Sequence, residues 1–357
     1  MEYLFTKINI LLFLIYFSEM QGNNDIKNDS ILYKCGFDKI NFNPKPASLM
    51  TEIDKASPEY LRRLDNIDKD GFKDFNIYLD LYNFEDEIIE YRLYNHREMF
   101  INGMNKAIKT LESLLKVKSP KYNYLFYDEQ IIDIEINNWD RNKIGNKTLK
   151  ESHGLIYFNI DLYIFVRFGS KSEMGENVLA SAIARYYDPN SGQPLIGLVN
   201  INKDVDYTKE KSKQYFESII IHEFTHILGF SMYNFLIFYK NIFLRKDKYG
   251  IIRAYINSTK VVNVARKYFN CSEIDGVELE EIGGLGTAFS HWEARILLGE
   301  YINGVIYTEE QVISEFTLAL LEDTGYYKAN YYTGGLMRYG KNKGWDLFLI
   351  NALIMEK

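Results

Sequence analysis

The stretch that most constrains this chain is His222-Glu223-Phe224-Thr225-His226. It lies in a run from Lys209 to Leu228 that contains neither Gly nor Pro. Phe216, Ile219, Ile220, Ile227 and Leu228 recur there at helical spacing, and Thr208 occupies the N-cap position. On a helix, two histidines four residues apart project from one face, so both imidazoles can address a single metal ion. Glu223 falls beside them, where a carboxylate reaches a water on the metal without being a ligand itself. That is the arrangement used in zinc-dependent peptide hydrolysis. The competing reading of the same residues is an amphipathic core helix with two hydrogen-bonded histidines.

Two histidines do not complete such a centre, because a catalytic zinc takes three protein ligands and keeps a fourth place for water. In the short form of the extended motif the third ligand is a His six residues past the second, beyond a Gly. Gly229 is present, but the ligand position holds Met232. The motif is therefore either inert or completed from farther along the chain. The one downstream histidine is His291, in Gly286-Thr287-Ala288-Phe289-Ser290-His291-Trp292-Glu293.

The residues around His291 resemble the leishmanolysin family of metallopeptidases, in which a long insertion separates the helix motif from a Ser-His-Trp that supplies the third ligand. The resemblance extends through Tyr307-Thr308, the segment Leu321 to Asn330 and the block Leu336-Met337-Arg338-Tyr339-Gly340-Lys341-Asn342-Lys343-Gly344. Upstream it takes in Ile164-Phe165-Val166, Asn177-Val178-Leu179-Ala180 and Gly192 to Gly197. It covers about Cys35 to Asp346 and is strongest from Asp161 onward. It implies an α+β, metzincin-type zinc peptidase with a mixed sheet above an active-site helix and a lower, largely helical or irregular C-terminal subdomain. It further implies one Zn2+ per chain on His222, His226 and His291, Glu223 as general base and then acid, and protein or peptide substrates. In the family, the strands at Asn177 to Tyr187 and Leu195 to Ile201 form a sheet edge along which an extended substrate can lie.

Two departures stand out. The family's methionine eleven residues after the third His, which forms a turn beneath the zinc, is Ile302 here. Isoleucine can pack under imidazoles but is stiffer than methionine, which implies zinc binding with reduced activity. Relatives are also rich in disulfides, whereas this chain has only Cys35 and Cys271. Tyr33-Lys34-Cys35-Gly36-Phe37 resembles the family's N-terminal cysteine motif, whose thiolate silences the proenzyme by taking the fourth zinc position. Cys35 reads equally well as a buried cysteine or as the partner of Cys271.

Domain organisation follows from composition and pattern. An apolar run from Ile8 to Phe17 behind Lys7 suits a secretory signal over residues 1–22 and is too short to span a bilayer. Residues 23–119 read as an N-terminal, pro-like helical region, with helical spacing from Phe84 to Val117 and His96 as a solvated helix residue. Residues 120–240 read as the catalytic subdomain, with strands at Ile131 to Ile136 and Leu155 to Arg167. Residues 241–357 read as the insertion and the C-terminal subdomain. There Thr308-Glu309-Glu310-Gln311 forms a capping box for a helix running to Asp323; between Gly229 and His291, the aromatics Tyr233 to Phe243 read as core. His153 sits in a turn and is not counted as a ligand. Sequons at Asn28, Asn146, Asn257 and Asn270 fit a secreted or cell-surface protein, with peripheral membrane association left open. A net charge of -7 without a basic run argues against a nucleic-acid partner. The alternative function is a zinc-binding but catalytically weak relative serving as an adhesion or binding module.

Overall fold

The computed structural model describes residues 45–46, 49–52, 67–118, 122–124, 161–175, 178–188, 191–246, 252–281, 288–306, 311–332 and 334–344. In chain order the strands and longer helices are β1 (Lys45–Pro46), β2 (Leu49–Glu52), β3 (Phe72–Asp74), β4 (Ile77–Asp80), α1 (Tyr82–Glu90), α2 (Arg97–Leu114), β5 (Leu115–Lys118), β6 (Tyr122–Tyr124), β7 (Leu162–Gly169), β8 (Ala180–Tyr187) and β9 (Pro194–Asn202). These are followed by α3 (Glu210–Ile227), β10 (Ile242–Lys246), β11 (Ile252–Ile256), α4 (Thr259–Phe269), β12 (Val277–Glu278), α5 (Glu315–Asp323) and β13 (Tyr327–Ala329). The architecture is mixed α+β.

A five-stranded sheet ordered β1-β8-β9-β7-β4 forms the central layer. β7 pairs in parallel with β4 and β9, while β8 is antiparallel to β9. The run Leu162-Tyr163-Ile164-Phe165-Val166-Arg167-Phe168 is aromatic and β-branched and is mostly buried, as suits a central strand covered on both faces. Beyond β8, among the described residues, only the two residues of β1 pair with it, in parallel at Tyr186 and Tyr187.

Two glycines bring the metal-motif helix onto this sheet. A Cβ at Gly197 of β9 would collide with the side chain of Ile227, and one at Gly103 of α2 would collide with the ring of Phe216. The absence of both side chains lets α3 lie flat against β9 and α2. Phe216, Ile220, Phe224 and Ile227 of α3 are buried in the resulting core. β10, β11 and β12 form a second, antiparallel sheet, and β13 joins β5 and β3 in a third, tying the end of the described chain back to its start.

Several local expectations shift. Thr208 does not cap α3: its hydroxyl and its N–H both donate to Asp206 Oδ1, and the cap position is Lys209 in extended backbone. The last long helix begins at Glu315 with Ser314 as its cap, Ser314 Oγ accepting from Phe316 N, six residues after the Thr308 expected there. His96 is half-buried, its ring 5.8 Å from that of Tyr207, rather than solvated. Ile131 to Ile136, His153, Thr308 and Cys35 lie outside the described residues.

Candidate metal centre

The second half of α3 presents His222 and His226 one turn apart on the face directed away from the sheet contacts of Ile227. Leu228 closes the helix and Gly229, at φ +119, turns the chain back, a conformation open to glycine at little cost. The reversal brings Phe230 under the helix end, where its N–H donates to Thr225 O at 3.1 Å. Its carbonyl then accepts from His226 Nδ1 at 2.7 Å.

His291 arrives on a strap built from two short hydrogen-bonded segments. Leu279 bridges Trp292 antiparallel, Glu280 N donates to His291 O at 2.9 Å, and Glu293 N donates to Glu278 O at 3.1 Å. Trp292 is fully buried, edge-on to Phe230 at 5.1 Å, so the ring after the third histidine packs against the residue that orients the second. Met232, where the short motif carries its ligand, donates its N–H to Ser290 Oγ at 3.2 Å. The strap therefore delivers His291 to the neighbourhood that a nearby ligand would have occupied.

The three Nε2 atoms converge. His222 and His226 are 3.1 Å apart, and each lies 3.2 Å from His291. His222 Nδ1 is 2.7 Å from Tyr301 O, and a carbonyl only accepts, so both helix histidines carry their proton on Nδ1. Their Nε2 atoms therefore face each other as two bare acceptors at hydrogen-bond distance. A spacing a little over 3 Å suits nitrogens sharing one tetrahedral zinc at about 2.0 Å. Burial lowers the pKa of His222 to about 4, against the opposing pull of its bond to Tyr301, and burial together with His222 and His291 lowers that of His226 well below the ordinary value. Both rings are thus held in the neutral form a metal requires. Glu223 is 1 % exposed and sits next to His222 on the helix.

Ile302 is fully buried in the turn Gly299 to Gly304. The residue before it, Tyr301, gives its carbonyl to His222, and its phenol pairs with Thr225 Oγ1 on the motif helix. These backbone acceptors, Tyr301 O and Phe230 O, orient the two helix imidazoles and left no trace in residue type, since every residue has a carbonyl.

A second cluster of ligand-type side chains lies on the same strap. Carboxylate oxygens of Glu278, Glu281 and Glu293 lie within 4.8 Å of one another. Arg253 Nη1 stands 2.9 Å from Glu278 and 2.6 Å from Glu281, and Arg295 pairs with Glu278 as well. Its cationic positions are already filled by guanidinium groups, and it serves to brace the strap at Glu278 and Glu293.

A His-Glu-x-x-His helix and a distant strap thus aim three imidazoles at one point, a group that could hold a metal ion. The family model described as leishmanolysin matches residues 95–356, nearly three quarters of the chain. The protein belongs to the leishmanolysin family. It is 30% identical over 190 residues to the leishmanolysin-like peptidase of Drosophila melanogaster, covering 43% of this chain and 28% of that one. Over 87 residues it is 44% identical to the leishmanolysin-like peptidase of Caenorhabditis elegans, covering 24% of this chain and 13% of that one. To the ciliated left-right organizer metallopeptidase of Danio rerio it is 30% identical over 204 residues, covering 54% and 32%. These matches take in about a third or less of each relative's own length.

Proposed function

We propose that this protein is a zinc-dependent endopeptidase, with His222, His226 and His291 as ligands of one zinc ion and Glu223 as general base. The observation that carries the reading is the convergence of the Nε2 atoms of His222, His226 and His291 to within 3.1 to 3.2 Å of one another. A bound zinc supplies Lewis acidity, which polarises a peptide carbonyl and brings the pKa of a water toward neutrality. Glu223 takes the proton from that water and later returns it to the leaving nitrogen. Its burial strengthens each of these electrostatic interactions by excluding bulk solvent. Tyr301 O and Phe230 O keep the two helix imidazoles in register and in the Nδ1–H tautomer. Ile302 fills the floor position held in relatives by methionine.

In this reading the chain divides into a sheet-bearing subdomain and a C-terminal subdomain meeting at the centre, in the metzincin manner. An extended protein or peptide segment adds as a strand along β8, with backbone hydrogen bonds giving affinity independent of sequence. Lys45–Pro46, from the pro-like region, holds the end of the same edge at Tyr186 and Tyr187. The apolar run near the N-terminus directs the protein to secretion or the cell surface. Among the described residues no helix is long and apolar enough to cross a membrane.

The test is zinc analysis of the purified full chain together with cleavage of a generic protein substrate, with and without a chelator. One zinc per chain and chelator-sensitive cleavage are expected. A stoichiometric zinc with no cleavage would favour the adhesion or binding module instead, and a chain without zinc would remove the centre altogether.

A further inference from the structure

Glu300 is a fully buried carboxylate in the turn that carries Tyr301 and Ile302, and it contacts none of the three histidines directly. Its Oε2 accepts from Ile302 N at 2.6 Å, while its Oε1 accepts from Ser314 N at 3.2 Å, Ser314 Oγ at 3.0 Å and Thr317 Oγ1 at 2.6 Å. A charge buried this deeply is costly, and four donors converging on it are what keep it in place. Its position relative to the metal centre gives that expense a purpose. The N–H of Ile302 and the C=O of Tyr301 belong to one peptide group, and that carbonyl accepts from His222 Nδ1 at 2.7 Å. The chain of contacts therefore reads carboxylate, peptide, imidazole.

Metal-bound histidines commonly give their second N–H to a carboxylate, which fixes the ring and raises its basicity. Here a single peptide unit stands between the two, polarised at its N–H end by Glu300 and presenting a more negative oxygen to His222. The same carboxylate reaches the strap of the third histidine. Thr317 Oγ1, donating to Glu300, accepts from Trp292 Nε1 at 2.9 Å, and Trp292 N donates to Ile302 O at 3.2 Å. Trp292 follows His291 directly. We propose that Glu300 is a positioning residue for the metal centre, holding His222 through a carboxylate–peptide–histidine relay and His291 through Thr317 and Trp292.

The inference rests on the zinc reading above, and its test separates the two. Zinc affinity of the full chain is measured by chelator competition at pH 8, together with the ring Nδ1–H proton resonance of His222 in the zinc-loaded protein. The variants are Glu300→Gln and a control, Glu87→Gln. Glu87 is an equally buried carboxylate, which accepts from Phe168 N at 2.8 Å against the central sheet. In Glu300→Gln the amide can keep its oxygen toward Ser314 and Thr317 only by turning its NH2 against the Ile302 N–H, so the relay breaks at its first link. The expected result is zinc binding weakened by about 10- to 100-fold with the His222 resonance moved upfield, while Glu87→Gln retains wild-type affinity and resonance. Glu300→Asp keeps the charge at shorter reach, falls between, and carries the test should Glu300→Gln not fold. Wild-type zinc affinity or an unmoved resonance in the Glu300 variants overturns the relay, as does an equal loss in Glu87→Gln. A wild-type chain that binds no zinc overturns the centre and the relay together.

Discussion

Two buried clusters of titratable side chains flank the same strap, and they end in opposite chemistries. Around His291 three imidazoles converge, and each helix ring spends its N–H on a backbone carbonyl. Around Glu278, two residues before the Glu280 N–H that holds His291 O, three carboxylates converge on Arg253 and Arg295. Proximity of ligand-type atoms is common to both. What separates them is whether the structure itself supplies the counter-charge. Where guanidinium groups stand among the acceptors, the cluster is an internal ion network. Where three imidazole nitrogens stand at hydrogen-bond distance from one another, the cluster can take a metal ion.

That contrast breaks most sharply at His291. His291→Ala should take zinc from one ion per chain to well below stoichiometric and abolish cleavage, whereas Glu281→Gln should leave the zinc content at one. Two ions per chain in the wild type, or zinc retained at full stoichiometry without His291, would erase the distinction. Next in size, Glu223→Gln should lower kcat by about 10²- to 10⁴-fold with zinc content unchanged, because it removes the proton carrier and not a ligand. An undiminished kcat would remove Glu223 from the chemistry. On the ionic side, Arg253→Met should cost about 3–5 kcal/mol of stability by removing a partner of the buried Glu278 carboxylate, read from denaturant melts, with zinc stoichiometry unaltered.

The two clusters should also respond to pH with opposite sign. Burial lowers His222 from 6.5 to about 4, so the metal-free native state binds fewer protons there than the unfolded chain does. The stability tied to this histidine is complete above pH 6.5 and is lost as pH falls toward 4, about 3 kcal/mol for a shift of that size. Burial raises Glu281 from 4.5 to about 8, so its native form holds a proton that the unfolded chain gives up, and stability declines as pH climbs through that interval. Melts of the metal-free protein from pH 4.5 to 8.5 check both arms: His222→Asn should flatten the acid limb and Glu281→Gln the neutral one. Unchanged limbs in both variants would detach the pH response from these groups.

The motif helix was legible because an unbroken run with two histidines one turn apart leaves few alternatives, and the structure places that helix at Glu210–Ile227. His291 was reachable as the one downstream histidine, and its role as third ligand came from resemblance. Local periodicity says nothing about a residue 65 positions away, and the strap that delivers it is held by backbone hydrogen bonds at Glu278, Glu280 and Trp292. Thr208 and Thr308 show how cap rules miss when the hydroxyl or the helix start lies elsewhere: Asp206 claims Thr208, and Ser314 starts α5 six residues later, where Glu300 also holds its hydroxyl. Glu300 belongs to no motif or spacing that the sequence offers. Only the fold shows that four donors enclose it.

The smallest expected effect bears on Ile302, where the chain departs from its family. The side chain is fully buried, and the peptide on its N-terminal side links Glu300 to His222, so its backbone is fixed by hydrogen bonds that do not depend on what the side chain is. Ile302→Met keeps nearly the same volume and exchanges a β-branched, stiff group for a flexible one. Such swaps cost less than about 1.5 kcal/mol, and the longer thioether can fill irregular space that isoleucine leaves. If the floor of the centre is set by the backbone, zinc affinity should stay within a few-fold of wild type while kcat rises modestly, since packing beneath the rings tightens without altering the ligands. If the floor is set by the side chain, zinc affinity and kcat should move together by tenfold or more. Chelator competition alongside initial rates distinguishes the two, and a joint change of that size would show that the methionine position, rather than the Tyr301–Ile302 peptide, governs the geometry of the histidines.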